Sequence, residues 1–183
     1  MEASLPSKIA AAIALAMAGL TSASSIVADA PTVPSIELDR YVGTWYEQAR
    51  LPNRFQRDCV RDVSASYALN DDGSINVTNR CVRADGSEET AKGLATVPDL
   101  SQPGQLAVTF MPKGLRWLPF TQAQYRVVAL DPDYRWSIVG GEDRKYLWLL
   151  TREPAIDSVQ RGLLLDKARE LGYDTAQLQF SSH

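Results

Sequence analysis

The chain has 183 residues, of which 19 are basic and 22 acidic, giving a net charge of −3 with 45% hydrophobic residues. This balance excludes the strongly basic footprint of a nucleic-acid-binding domain, so no nucleic-acid partner is expected. The length suits one domain with a sizeable core.

Residues 9–20 form an uninterrupted run of mostly apolar residues, "IAAAIALAMAGL". A membrane-spanning helix takes about 20 apolar residues, so this run is too short to be one. Lys8 precedes it, and a small-residue stretch ending in Ala28-Asp29-Ala30 follows. Together they predict a cleaved secretory signal over residues 1–30; the alternative is a disordered or membrane-associated N-terminal helix. Residues 31–183 would then be the mature domain, with 18 basic against 20 acidic residues. No cysteine stands at or just after the expected cleavage site. An outer-membrane lipid anchor is therefore not expected, and the product is read as periplasmic or secreted. In an exported chain the two cysteines, Cys59 and Cys81, read as one disulfide.

After a leader over 31–41 with Pro31 and Pro34, short alternating or β-branched runs predict eight strands. They fall near 43–51, 61–69, 75–83, 89–97, 105–111, 123–130, 134–140 and 145–151. Turn signals separate several of them: Asn70-Asp71-Asp72-Gly73, Asp85-Gly86, Asp131-Pro132-Asp133 and Gly140-Gly141. From Pro154 the period becomes helical, with Ile156, Val159, Leu163, Leu164 and Leu171 on one stripe and Gly172 as the stop. A short last strand is expected at 176–180. Strands joined by short loops and followed by one helix predict an all-β fold. The expected form is an eight-stranded antiparallel up-and-down barrel with the helix packed outside. A regular 69–75 hairpin would set Cys81 opposite residue 63, not 59, so the disulfide needs a bulge or a curled strand start.

Alternation along each strand assigns an inner face. Ala65 and Tyr67, then Val77, then Ala91, Gly93 and Ala95 are expected to line a cavity on the second to fourth strands. Val108, Phe110, Tyr125, Trp136, Ile138, Tyr146 and Trp148 are expected to continue the lining to the eighth strand, with Leu147 and Leu149 under the helix. Ala65, Ala91, Gly93 and Ala95 would leave volume unfilled. With few polar side chains inside, the result is a container for an apolar molecule. Glu47 shares the parity of Trp45, so it points inward on one reading; Asp58, Asp62, Glu88 and Glu89 are read as solvated. The connector 111–120 carries Leu115, Trp117, Leu118 and Phe120 beside Lys113 and Arg116. Strand parity places it at the open end, where it is either the lip of the cavity, able to touch a bilayer or a partner, or local packing across the mouth. The only histidine, His183, is the last residue and is expected to be disordered. No Ser–His or Cys–His pair and no histidine-ligated metal or haem can be built, so neither catalysis nor a cofactor nor a metal is expected.

Gly43-Thr44-Trp45-Tyr46 resembles the G-x-W motif of lipocalins. Asp131-Pro132-Asp133-Tyr134 resembles the family's second motif and Leu149-Leu150-Thr151-Arg152 its third. Residues 36–180 are similar to bacterial lipocalins and to apolipoprotein D. The runs at 53–56, 67–79 and 144–152 are especially close to the bacterial branch. The resemblance implies a barrel floor in which Arg152 packs over Trp45 and Gly43 lets backbone pass close by. That gives Trp45 a structural role; direct ligand contact is the alternative. It further implies that a fatty acid, lysophospholipid or similar amphiphile is bound at the bacterial cell envelope. Two other functions stay open. One is a lipocalin-type enzyme acting on a lipid or epoxide through a free thiol of Cys59 or Cys81. The other is an interaction module in which the Trp117 loop binds a membrane or a second copy of the chain as a homodimer.

Overall fold

A computed structural model describes residues 31–116, 118, 121–141 and 143–183. The expected signal segment over 1–30, and Trp117 and Phe120 of the expected lip, lie outside the described residues. Strands β1 (Gly43–Arg50), β2 (Cys59–Leu69), β3 (Ile75–Arg83), β4 (Glu88–Thr96), β5 (Gln105–Thr109), β6 (Gln122–Leu130), β7 (Trp136–Gly140) and β8 (Leu147–Thr151) form an antiparallel meander. It closes because β1 pairs with β8 on one side and with β2 on the other. The expected hairpin chemistry is present: the Asp72 and Asp85 carboxylates accept from the backbone N–H of Ser74 and Ser87, and Gly73 and Gly86 adopt φ of 79° and 83°.

Before β1, one helical turn, α1 (Leu38–Tyr41), occupies what reads in sequence as a plain leader. It carries Tyr41, 3% exposed, into the interior cluster with Ile36 and Trp45. Its four residues are too few to show a helical period, which is why the sequence pattern does not reveal it.

The closure has two parts. β2 pairs with β1 only over Gly43–Tyr46. Beyond that point a ninth strand, β9 (Gln179–Phe180), pairs with Ala49 and Arg50. The Ser181 N–H then donates to the Gln48 carbonyl, and the Asp62 N–H donates to the Ser182 carbonyl. The C-terminal tail thereby bridges the gap that opens between β1 and β2. His183 is part of this seam, not a disordered end. Its Nε2 lies 2.9 Å from the Glu47 carbonyl, and its ring packs edge-on against Tyr46.

β2 bulges between Cys59 and Ser64, with Asp62 at φ 53°. The irregularity sets Cys59 beside Cys81, and the two are bonded with Cα atoms 5.6 Å apart. Of the two devices that would bring the cysteines together, a bulge or a curled strand start, the bulge is the one present.

Helix α2 (Ser158–Glu170) packs outside the barrel, its first turn capped by the Asp157 carboxylate accepting the Gln160 N–H at 2.7 Å. Leu164 and Ala168 are its buried residues, with Ile156, Leu165 and Leu171 packed alongside. Val159 and Leu163, expected on the buried stripe, are 79% and 43% exposed. The cap starts the helix four residues after Pro154, and the face that meets the sheet is the one centred on Leu164.

Candidate ligand-binding barrel

The floor is built from residues far apart in sequence. Trp45 is fully buried and its Nε1 donates to the Tyr41 carbonyl at 2.8 Å. The Arg152 guanidinium carbon sits 3.8 Å from the Trp45 ring centroid, a cation–π contact. Arg152 also donates to the carbonyls of Arg40, Tyr41, Thr44 and Tyr134. One side chain thus ties together backbone acceptors from α1, the start of β1 and the turn before β7. Gly43 adopts φ 99°, and a Cβ there would stand 3.2 Å from Arg152 Nη1. The close approach and the left-handed backbone both call for glycine.

Beside Trp45 lies a chain of hydroxyls. Tyr67 donates to the Tyr125 oxygen at 3.1 Å, the Tyr125 and Tyr41 oxygens are 2.8 Å apart, and Tyr41 lies 3.1 Å from Ser137 Oγ. Burial pushes all three phenols above the usual tyrosine range, so they stay protonated at physiological pH.

Higher on the wall, Ala65 pairs with Asn79 and Asn79 with Ala91, and all three remain half-buried. Tyr67, Val77 and Gly93 form the next row down. A Cβ at Gly93 would meet the Phe110 ring at 3.0 Å, so that ring occupies the space Gly93 leaves. Ala95 and Val108 are buried deeper, within the interior cluster. Trp148 faces the interior while Leu147 and Leu149 lie under α2, as expected. Tyr146 stacks on Trp148 with ring planes within 5° and also meets Phe55 of the β1–β2 loop.

Two expectations are corrected. Trp136 and Ile138 are not in the interior. They pack in the layer between sheet and helix with Leu147, Leu149 and Leu164. The inward residues of β7 are Ser137, which reaches Tyr41, and Val139. All five β7 residues are buried, so alternation separates two faces without saying which one meets the lumen.

The interior is also less apolar than expected. A register shift between Glu47 and Ala49 leaves Glu47 opposite Leu150 and brings Arg50 opposite Trp148, so both charged residues share the inner face. Glu47 Oε1 accepts from Arg50 Nη1 at 2.6 Å and from Ser181 Oγ at 2.7 Å, while its Oε2 accepts from Gln56 Nε2 at 2.6 Å. Arg50 donates onward to the carbonyls of Gln56 and Cys59, and Trp148 Nε1 donates to Gln56 Oε1 at 2.7 Å. The inward reading of Glu47 holds. Arg50, Gln56, Asn79, Ser137 and Tyr41 were not singled out from the sequence. A period-2 pattern passes over a bulge, and only the parity of Asn79 with Val77 was a usable signal.

At the open end, Phe55, Phe110 and Leu115 are 58%, 45% and 42% exposed. Leu115 sits on a 3-10 turn over Lys113–Leu115, and Arg116 Nε donates back to the Met111 carbonyl at 3.0 Å. Both cysteine sulfurs are spent in the disulfide, so the thiol chemistry considered above has no thiol to use. Glu89 lies near those sulfurs, but disulfide sulfur is not the thiolate that a metal takes as ligand.

This geometry is a closed antiparallel barrel with a Trp–Arg floor and an external helix. The lipocalin-like domain model matches residues 36–183, and the chain belongs to the lipocalin family. It is similar to the outer membrane lipoprotein Blc of Escherichia coli K12, with 37% identity over 171 residues covering 88% of this chain and 92% of that protein. It is equally similar to temperature-induced lipocalin-1 of Arabidopsis thaliana, 37% identical over 148 residues and covering 80% and 78% of the two chains. Among solved structures, insecticyanin of the tobacco hornworm Manduca sexta superposes with a TM-score of 0.66 at 20% identity, covering 83% of each chain. Binding of small hydrophobic molecules is the property common to the family.

Proposed function

We propose that this barrel binds and carries a fatty acid, lysophospholipid or similar amphiphile at the bacterial cell envelope, without catalysis. Residues 1–30 act in this reading as a cleaved export signal, which delivers the domain to the periplasm or beyond. The observation that carries it is the gradient of exposure inside the tube. The Trp45 end is sealed, whereas Ala65, Ala91 and Trp148 are only half-buried although they face inward, and Phe110 is 45% exposed. Each methylene buried from water contributes about 0.8 kcal/mol, so a long acyl chain binds usefully with few polar contacts. Delipidated protein should bind a fluorescent fatty acid, and Ala91→Trp should weaken that binding while the fold stays intact by circular dichroism. Unaltered affinity in the variant would remove Ala91 from the lining.

A second role is favoured by the exposed Phe55, Phe110 and Leu115 at the open end, next to Lys113. Apolar side chains beside a cation suit contact with an anionic bilayer during ligand exchange. Sedimentation with phosphatidylglycerol vesicles tests that contact, with Leu115→Asp expected to reduce it. Light scattering without lipid tests for a homodimer.

A further inference from the structure

The hydroxyl chain beside the floor has more protons than bonds. Tyr41, Tyr67, Tyr125 and Ser137 bring one proton each. Their mutual contacts are three: Tyr67 to Tyr125, Tyr125 with Tyr41, and Tyr41 with Ser137. Among the described residues these four hydroxyls make no other hydrogen bond, so one proton lacks an acceptor among them. The proton of Tyr67 is committed to Tyr125. Leaving the spare proton on Ser137, fully buried, or on Tyr41, 3% exposed, would carry the full cost of a buried donor without a partner. Tyr125 is only half-buried, and it stands opposite the interior residue Leu106. The direction of least cost therefore runs from Ser137 to Tyr41 to Tyr125. The Tyr125 oxygen then accepts twice, and its own O–H is offered to the lumen.

A second polar group lies on the inner face of β3. Asn79 shares its parity with the buried Val77 and sits diagonally across from Tyr67. Its side-chain amide has no hydrogen-bond partner among the described residues. The terminal nitrogens of the nearby cations already have acceptors: Arg152 is bound to backbone carbonyls at the floor, and Arg50 is held by Glu47 and two carbonyls, with only its Nε–H left without a partner among the described residues. A carboxylate brought to Tyr125 would find the Arg152 nitrogens already donating to backbone carbonyls and the Arg50 charge balanced by Glu47, and would give up its hydration for one hydrogen bond, whereas a neutral oxygen needs only a donor.

We propose that Tyr125, with Asn79 as a further contact, binds a neutral oxygen of the ligand, a ketone, ester or hydroxyl oxygen, inside the barrel and not at its mouth. The inference deepens the lipid-binding reading and rests on it. A lumenal donor left unpaired by a plain hydrocarbon discriminates against that hydrocarbon, so the site selects an oxygen-bearing chain.

The test is displacement of a bound fluorescent fatty acid by a long-chain methyl ketone and by the hydrocarbon of equal length, using the wild-type protein and Tyr125→Phe. Wild type should prefer the ketone, and the variant should lose about tenfold in ketone affinity while hydrocarbon affinity is unchanged. Independently of any variant, the infrared carbonyl stretch of the ketone bound to wild type should lie below its value in a hydrocarbon solvent. Equal loss for both competitors, no loss for either, or an unshifted carbonyl would overturn the assignment. Failure of the fluorescent fatty acid to bind at all would instead sink the lipid-binding reading, and this inference with it.

Discussion

At the closed end of the barrel, Arg152 reaches across Trp45 to four backbone carbonyls, and the whole assembly is held by groups that alternate between apolar contact and donated hydrogen bonds. At the open end the wall between β1 and β2 is completed by a borrowed strand, β9, and braced by a buried ion pair, Glu47–Arg50. The difference lies in how each end tolerates loss. A plug of packed rings fails by leaving a cavity. A buried charge pair fails by leaving an uncompensated charge, and a tail seam fails by fraying.

The largest effect is expected at the floor. Trp45→Ala should cost about 4 kcal/mol of unfolding free energy, read from denaturant titration, because a fully buried indole is removed and Arg152 loses its ring. At the open end, Arg50→Leu should cost about 3 kcal/mol by leaving Glu47 buried and unpaired. The double variant Glu47→Leu with Arg50→Leu should recover most of that loss, and failure to recover would mean that the pair does more than balance charge. Removing the disulfide by Cys59→Ser with Cys81→Ser should cost about 3 kcal/mol on the chain-entropy account for a loop of this separation. Ser181→Ala is expected to cost about 1 kcal/mol through one lost bond to Glu47, with faster hydrogen exchange confined to the β9 seam.

One effect is absent at neutral pH. The buried phenols of Tyr41, Tyr67 and Tyr125 have pKa values raised by desolvation. Their contribution is fully present below the ordinary tyrosine value of about 10, and it is lost as pH rises above it because the unfolded chain then releases protons that the fold retains. Stability should fall in alkali, and Tyr125→Phe should make that fall shallower. An alkaline limb of unchanged slope in the variant would contradict it.

Much of the floor was legible because each of its motifs is local. Gly43 and Trp45 stand two residues apart, and Arg152 ends the eighth strand. Family likeness supplied their mutual contact. The disulfide was legible from cysteine count and the expected export, and hairpin register showed that it needs a local irregularity, a bulge or a curled strand start, without saying which. The inner face was read well on β2 to β4, where polar and apolar residues alternate. It was read wrongly on β7, where Trp136 and Ile138 lie beneath the helix. It was incomplete on β1, where the shift at Gln48 turns Arg50 inward.

The sequence by itself determined where strands run, where they turn, and that a helix follows them, because strand and helix periods are properties of neighbouring residues. Only the tertiary structure decided which face of each strand is the lumen, that the last residues complete the wall, and that four hydroxyls from α1, β2, β6 and β7 meet. Those outcomes depend on closure. A sheet with one face against a helix and the other around a lumen buries both, and an alternating pattern cannot tell two buried sides apart.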